Sequence, residues 1–311
     1  MRKRKVDVGI DVGGTTCRVA LIYKGREIGR SEFRMSGEAS RRILGDFDLD
    51  MYNVVEALLV LLHRHHASVR SIGVCIAGKL ARNGRWLTNS GNLVWWISRD
   101  FVEPLEQAFP HARIVAGNDA QAAGLAEALF NEELQGVDFA FIIWGTGIGG
   151  TVVRRFGKAT KVYAGEPGHI NINPTGSESC PCGQQNCWER YVAGAGVCAH
   201  FVVTSAKELD DNQWAEVIDS MVVGCRALQV THAVPVFVFG GGVASKQQAE
   251  RQILSRLEAA LQKELRIVDA PKIMLSKFGE SAGTWGGYAL TVHAGLTKRF
   301  ARLRQRPGLA A

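Results

Sequence analysis

Val6-Asp7-Val8-Gly9-Ile10-Asp11-Val12-Gly13-Gly14-Thr15-Thr16 stands near the start of a 311-residue chain. Val6–Asp11 reads as an apolar strand and Gly13-Gly14 as the turn that ends it. Arg18–Tyr23 predicts a second strand, Lys24-Gly25 a turn, and Arg26–Phe33 a third strand. The unit returns in the second half: Phe139–Trp144 is an apolar strand, Gly145–Gly150 a glycine turn, and Thr151–Arg155 a strand. Between them lie a helical pattern over Leu49–His66, strands at Ser71–Ile76 and Ile114–Ala116, and an alanine-rich helix after Asn118-Asp119. Beyond them come a strand at Pro235–Phe239, Gly240-Gly241-Gly242, one long helix over Lys246–Leu265, a strand at Lys272–Leu275 and a final helix from Thr284. A strand–turn–strand unit used twice predicts two similar α/β lobes with a cleft between them. The expected division is residues 1–118 and 119–311, with the C-terminal helix able to pack back on the first lobe.

Three glycine turns each follow an apolar strand: Asp11–Thr16, Gly145–Gly150 and Gly240–Gly242. Glycines let backbone N–H groups come close to an anion. Thr15, Thr16 and Thr146 add hydroxyl donors, and Asp11 adds a carboxylate able to hold Mg²⁺ directly or through water. Each turn alone is equally well a tight hairpin; the three together point to a nucleotide. Gly145-x-Gly147-x-x-Gly150 has the spacing of the dinucleotide fingerprint, but that motif needs a helix directly after the turn and Thr151-Val152-Val153 reads as a strand. No G-x-x-x-x-G-K-[ST] occurs. What remains is a phosphate clamp built from β-hairpins.

Composition excludes several classes. Apolar residues make up 46% and mean hydropathy is −0.01, as in ordinary globular proteins. No apolar run is long enough to span a bilayer. Asp7 and Asp11 interrupt the apolar stretch that a secretory signal needs, so the cytoplasm is the expected compartment. The net charge of +7 sits at the ends: nine of the 37 basic residues are Arg2, Lys3, Arg4, Lys5, Lys298, Arg299, Arg302, Arg304 and Arg306. The other 28 face 30 acidic residues, so the body is near neutral and nucleic acid is not the expected partner.

Asp119, between a strand and a helix, has two readings. It is an N-cap, which Asp suits, or a general base for a hydroxyl nucleophile; both roles can coexist. Of seven cysteines, Cys180, Cys182 and Cys187 are clustered, and with His169 they make H-x10-C-x-C-x4-C. Three thiolates and an imidazole satisfy tetrahedral zinc with no open position, which makes the site structural rather than catalytic. Free loop cysteines, with His169 as a sugar contact or a loop histidine, are the other reading. Asn92, in Ser90-Gly91-Asn92-Leu93-Val94-Trp95-Trp96, pairs an amide with tryptophans. That combination suits a sugar or a packed loop.

Ala164-Gly165-Glu166-Pro167-Gly168-His169, followed by Cys180-Pro181-Cys182-Gly183 and Cys187-Trp188-Glu189, resembles the A-G-E-x-G-H and C-x-C-G-x-x-G-C-x-E signature of the ROK family of repressors, open reading frames and sugar kinases. The resemblance runs from Asp11 to Gly283-Thr284-Trp285-Gly286-Gly287. It implies an actin-like, ribonuclease-H-type α/β fold with two lobes. ATP would lie on Asp11, Gly13, Gly14, Thr15, Thr16, Thr146, Gly147, Gly241 and Gly242. Asn92, Asn118, Asp119, Glu166, His169 and Glu189 would hold the sugar, with Asp119 as catalytic base. A structural Zn²⁺ on His169, Cys180, Cys182 and Cys187 would orient Glu166, His169 and Glu189. A homodimer is the family-level expectation.

The implied activity is transfer of the γ-phosphoryl group of Mg-ATP to a sugar hydroxyl, the 6-OH of a glucose-type aldohexose or an N-acetylhexosamine. Three departures stand out. Ala77 replaces the proline of G-x-P-G, Asn186 replaces a glycine in the metal loop, and Gln121 stands where N-D-A-N is frequent. Gln121 resembles N-acetylmannosamine kinases, whereas Glu166, which those can lack, is kept. A sugar-responsive regulator would carry an N-terminal helix-turn-helix for which the strand at Val6 leaves no room. A silent sugar-binding protein is the second rival.

Overall fold

A computed structural model of the chain describes residues 3–37, 43–156 and 159–304, with side chains up to residue 295. Arg2 and the side chains of the basic segment 298–306 lie outside the described residues. The chain forms two compact units, one made of residues up to 126 together with those from 283 onward, the other of residues 127–282. The divisions thus fall at 126/127 and 282/283 rather than at 118/119.

In the first unit the opening stretch is a strand–turn–strand: β1 (Arg4–Val12), β2 (Thr16–Tyr23) and β3 (Arg26–Arg34). Then come α1 (Phe47–Arg64), β4 (Ala67–Ile76), the small hairpin β5 (Lys79–Leu80) and β6 (Leu87–Asn89), α2 (Val102–Ala108), β7 (Arg113–Asn118) and α3 (Asp119–Phe130), which belongs to this unit as far as Ala126. The sheet order is β3-β2-β1-β4-β7, with β1, β4 and β7 parallel. The central strand β1 is covered on both faces, as parallel strands are. Val6, Val8, Ile10 and Val12 pack with Val54, Leu58 and Leu61 of α1. Asp46 caps α1 by accepting from the backbone N–H of Asp48 and Leu49.

In the second unit the order repeats. It holds β8 (Phe139–Trp144), β9 (Ile148–Phe156), β10 (Ala159–Gly165), α4 (Trp188–Val192), α5 (Gly194–His200), α6 (Asp211–His232), β11 (Val236–Gly240), α7 (Gly242–Arg251), α8 (Ile253–Glu264) and β12 (Lys272–Leu275). The sheet runs β10-β9-β8-β11-β12, again with two antiparallel hairpin steps followed by parallel neighbours. Its core gathers Trp144, Trp188, Trp214, Met221, Phe237 and Phe239. The helix expected over 246–265 is two helices. Gln252 breaks it with a left-handed φ of 52°, and the Gln248 side chain accepts from the N–H of Leu254. Helix α6, absent from the sequence reading, carries a capping box between Asp210 and Gln213 and a buried face at Trp214, Val217, Ile218, Met221 and Cys225.

The last helix, α9 (Ala282–Arg304), belongs with the first unit. It lies on the sheet face that β1 and β4 present through directly paired Gly9 and Gly73. A Cβ built on Gly9 would be 1.9 Å from the carbonyl oxygen of Thr284, and one on Gly73 would be 1.7 Å from that of Gly287. Only glycine admits a helix backbone this close to a strand. No helix among the described residues is long and apolar enough to cross a membrane.

Candidate active site

The parallel strands of the first unit end at Val12, Ile76 and Asn118, and three polar segments gather there. In open α/β sheets ligands bind outside the carboxyl ends of strands. The β1–β2 turn is closed by the N–H of Gly13 on the carbonyl of Thr16, at 3.1 Å. Thr15 is exposed, and its carbonyl accepts from Met35. Gly14 has no room for a side chain, because a Cβ there would meet the Cβ of Asn92 at 2.7 Å and its carbonyl at 2.9 Å. The turn and the Asn92 loop are therefore packed together.

Asp11 lies at the end of β1, facing the start of α9. A Cβ on Gly283 would fall 2.4 Å from its carboxylate oxygens. Arg18 approaches from the side at 3.6 Å. Burial pushes the Asp11 carboxyl up from the ordinary 3.8 to about 6, against the opposing pull of Arg18. A carboxylate held beside a helix N-terminus at a glycine turn has the oxygen chemistry that Mg²⁺ takes, with water completing the set. The raised value has a consequence for stability. The folded state binds the proton more tightly than the unfolded chain, so Asp11's contribution is fully present below pH 4 and is lost as pH rises through 6. Without added metal, Asp11→Asn is expected to raise stability at pH 7.5, by up to roughly 3 kcal/mol. At pH 4 the melting temperatures of variant and parent should coincide; thermal melts at the two pH values check this.

Ala77 and Gly78 tie the other two segments together. Ser90 donates its hydroxyl to the Ala77 carbonyl at 2.9 Å, and the same oxygen accepts from the N–H of Asn92 and Leu93 at 3.3 and 3.1 Å. Asn118 donates its amide to the carbonyl of Gly78 at 3.3 Å. Gly78 has φ 132°, a backbone state reserved for glycine. The capping role open for Asp119 belongs to Asn118, whose Oδ1 accepts from the N–H of Gln121 at 3.2 Å. Asp119 is the first residue of α3, half-buried, and its Oδ1 accepts from the N–H of Ala120 at 2.8 Å. The tryptophans beside Asn92 are no sugar platform. Both rings are buried, and both donate to the fully buried Asp50 carboxylate, at 2.7 and 3.0 Å. The packed-loop reading holds for them, because an indole N–H inside a core needs an acceptor.

In the second unit the β8–β9 turn is short, and Gly149 and Gly150 already belong to β9. A strand follows the turn, so the dinucleotide geometry is absent. Thr146 is exposed, and the carbonyls of Gly145 and Thr146 accept from Gly194 and Ala195 at the start of α5. The third glycine turn departs from the hairpin expectation. Gly241, with φ 94° and its Cα against the Trp144 backbone, leads straight into α7 at Gly242. A helix N-terminus is thereby open beside this turn. Gly145 and Gly242 are neighbours: a Cβ on the first would lie 3.9 Å from the N of the second.

His169, Cys180, Cys182 and Cys187 converge, with all four ligand atoms within 4.8 Å of one another. Cys182 and Cys187 Sγ are 3.6 Å apart, and Cys180 Sγ is 3.7 Å from His169 Nδ1. Bond lengths of about 2.0–2.3 Å at tetrahedral zinc give ligand–ligand edges of about 3.5–3.8 Å. The donor set and its spacing therefore fit that ion. Burial pushes the Cys180 thiol up to about 12, so a thiolate there calls for a cation. Glu189, on α4, joins this cluster to the β8–β9 turn. Its Oε1 lies 3.5 Å from Cys180 Sγ and 3.7 Å from His169 Nδ1, while its Oε2 accepts from the N–H of Ile148 at 3.5 Å. Asn186 has φ 56°, which explains why a glycine can replace it. Its buried amide adds bonds to Glu178, Gly176 and Tyr191 that a glycine lacks. Glu166 is exposed, next to the 3-10 turn that presents His169, and lines a largely apolar cavity of about 240 Å³ with Tyr163 and Pro167.

The structure thus assembles two sets: Asp11, Gly13–Thr16, Asn92, Asn118 and Asp119 in the first unit, and Thr146, Gly147, Gly241, Gly242, Glu166, Glu189 and the Cys₃His cluster in the second. Sequence reasoning missed Arg18, Gly78 and Ser90. Only Gly78 had a signal, as the glycine of the altered G-x-P-G stretch.

The ROK family model matches residues 7–294. The chain is 26% identical to the glucokinase of Halalkalibacterium halodurans, over 90% of this chain and 93% of that one. It is 27% identical to the N-acetyl-D-glucosamine kinase of Vibrio cholerae, over 91% and 99%. Its fold matches a ROK family glucokinase from Streptomyces griseus, solved in complex with glucose and AMPPNP. The TM-score is 0.71 at 20% identity, covering 93% of this chain and 99% of that one.

Proposed function

This chain belongs to the ROK family and has its actin-like α/β fold, and from that premise we propose that it transfers the γ-phosphoryl group of ATP to the 6-hydroxyl of a glucose-type aldohexose or an N-acetylhexosamine. The observation that carries the proposal is the packing at the carboxyl ends of β1, β4 and β7. There a glycine turn with a carboxylate is locked against Asn92, and Asn118 holds Asp119 at the head of α3.

In this reading the backbone N–H groups of Gly13 and Gly14 and the hydroxyls of Thr15 and Thr16 bind phosphate oxygens. Thr146, Gly147, Gly241 and Gly242 bind the rest of the nucleotide. Asp11 would hold Mg²⁺, which when bound draws charge from the phosphate oxygens. Asn92, Asn118, Glu166, His169 and Glu189 fix the sugar hydroxyls. Asp119 takes the proton of the attacking hydroxyl as its oxygen bonds to the γ-phosphorus, and the bond to the β–γ bridging oxygen breaks to leave ADP. The Cys₃His set would hold a zinc ion that, having no open position, fixes the loop carrying His169 and Glu189. A cytoplasmic homodimer is the assembly we expect.

The test of function is ADP release from Mg-ATP with glucose, mannose, fructose, allose, N-acetylglucosamine and N-acetylmannosamine. Turnover with one aldohexose or N-acetylhexosamine well above the others supports the proposal; none with any of the six, on folded, zinc-replete protein, counts against it. Metal analysis should find one zinc per chain. Cys187→Ser should lose it and raise the sugar KM about tenfold or more, with the KM for Mg-ATP little changed. An unchanged sugar KM in the metal-free variant would remove the zinc loop from sugar binding.

A further inference from the structure

A second polar cavity lies in the first unit, at the other end of the strands from Asp11. It has a volume of about 400 Å³ and is lined by Asp7, Arg70, Ser71, Arg113, Thr291 and Gly295. Asp7, Ser71 and Arg113 form one row across β1, β4 and β7, paired in register. Asp11 is four residues further along β1, about 13 Å away at the rise of a strand. The cavity and the glycine turn are therefore separate places.

The charges in this row are unevenly met. Asp7 is almost fully buried, and Arg70 grips both its oxygens, through Nε at 2.8 Å and through Nη2. Ser71 donates to the same carboxylate at 2.5 Å. Asp7 and Arg70 thus cancel. Arg113 has no carboxylate partner among the described residues; its Nη2 donates to the Thr291 carbonyl of α9. A part-buried guanidinium without a counter-charge is costly, and an anion in the cavity removes that cost.

We propose that this cavity is a binding site for a small phosphate-type oxyanion, held by the guanidinium of Arg113 with Arg70 at the rim. A planar guanidinium offers paired N–H donors that match phosphate oxygens. The assignment does not depend on the kinase reading, since it rests on Arg113 and the cavity alone.

The test is a calorimetric titration of inorganic phosphate into the intact chain with Mg-AMPPNP present at saturation. One saturable site is expected. Arg113→Met should weaken it at least tenfold. Gly295→Glu is the sharper variant. A Cβ at 295 would stand 3.5 Å from Arg113 Nη1, an ordinary contact, so a carboxylate there supplies the missing partner. It should abolish phosphate binding and raise the melting temperature, which separates site loss from unfolding. Absence of saturable binding, or wild-type binding in folded Gly295→Glu, would each overturn the site.

Discussion

Asp119→Asn is expected to slow sugar-dependent ADP release by about 10²–10⁴-fold, the range that a positioned general base contributes, while the sugar Kd stays within a few-fold. The melting temperature should not move. The cap of α3 comes from Asn118, and an asparagine oxygen at 119 can accept from the N–H of Ala120 as the Asp119 carboxylate does. Asn118→Ala is the companion variant. It removes the cap and the bond to Gly78 together, so it should cost about 0.5–2 kcal/mol of stability. The pair separates the two roles open at this junction. If Asp119→Asn turned over sugar at the parent rate, Asp119 would not be the base, and the proposed mechanism would fall.

Gly73→Ala should be among the most damaging single methyl additions in the chain. The new carbon would sit 1.7 Å from the Gly287 carbonyl oxygen and 2.4 Å from its carbon. Both are backbone atoms, so no rotamer change relieves the clash; α9 itself must lift. Overpacking a core typically costs 1–3 kcal/mol, and a backbone-on-backbone clash should reach at least about 3 kcal/mol. Because the same helix places Gly283 against Asp11, the KM for Mg-ATP should rise as well. Gly91→Ala is the control: its Cβ would meet nothing within 4 Å, and its melting temperature should match the parent. A Gly73→Ala protein that melts like the parent would show that α9 is free to shift on the sheet.

Much of this was legible in the sequence. Runs such as Val6–Asp11 and Phe139–Trp144, each ended by glycines, carry strand and turn in their own residues, and both strand–turn–strand units stand where that pattern put them. The Cys₃His cluster was legible for the same reason, since close spacing of Cys180, Cys182 and Cys187 forces their sulfurs together. Two elements escaped the sequence reading, one in spite of its local signals and one for want of any. Helix α6 has a capping box and an apolar face that periodicity could have found. The break at Gln252 had no sequence signal, because glutamine is a good helix former and only its setting gives it a left-handed backbone.

What the sequence determined by itself was the set of pieces: two hairpin units, a basic pair of ends, a metal loop, and a carboxylate at the head of a helix. Those follow from residue type and spacing within a few positions of each other. Tertiary structure alone decided which of two equal-looking residues capped α3, that Trp95 and Trp96 serve Asp50 rather than a ligand, and that Gly9 and Gly73 exist to admit α9. Each of these depends on atoms brought together from distant parts of the chain. Local propensity is blind to such contacts, because their energy comes from burial and hydrogen bonding that exist only once the sheet and helix have met.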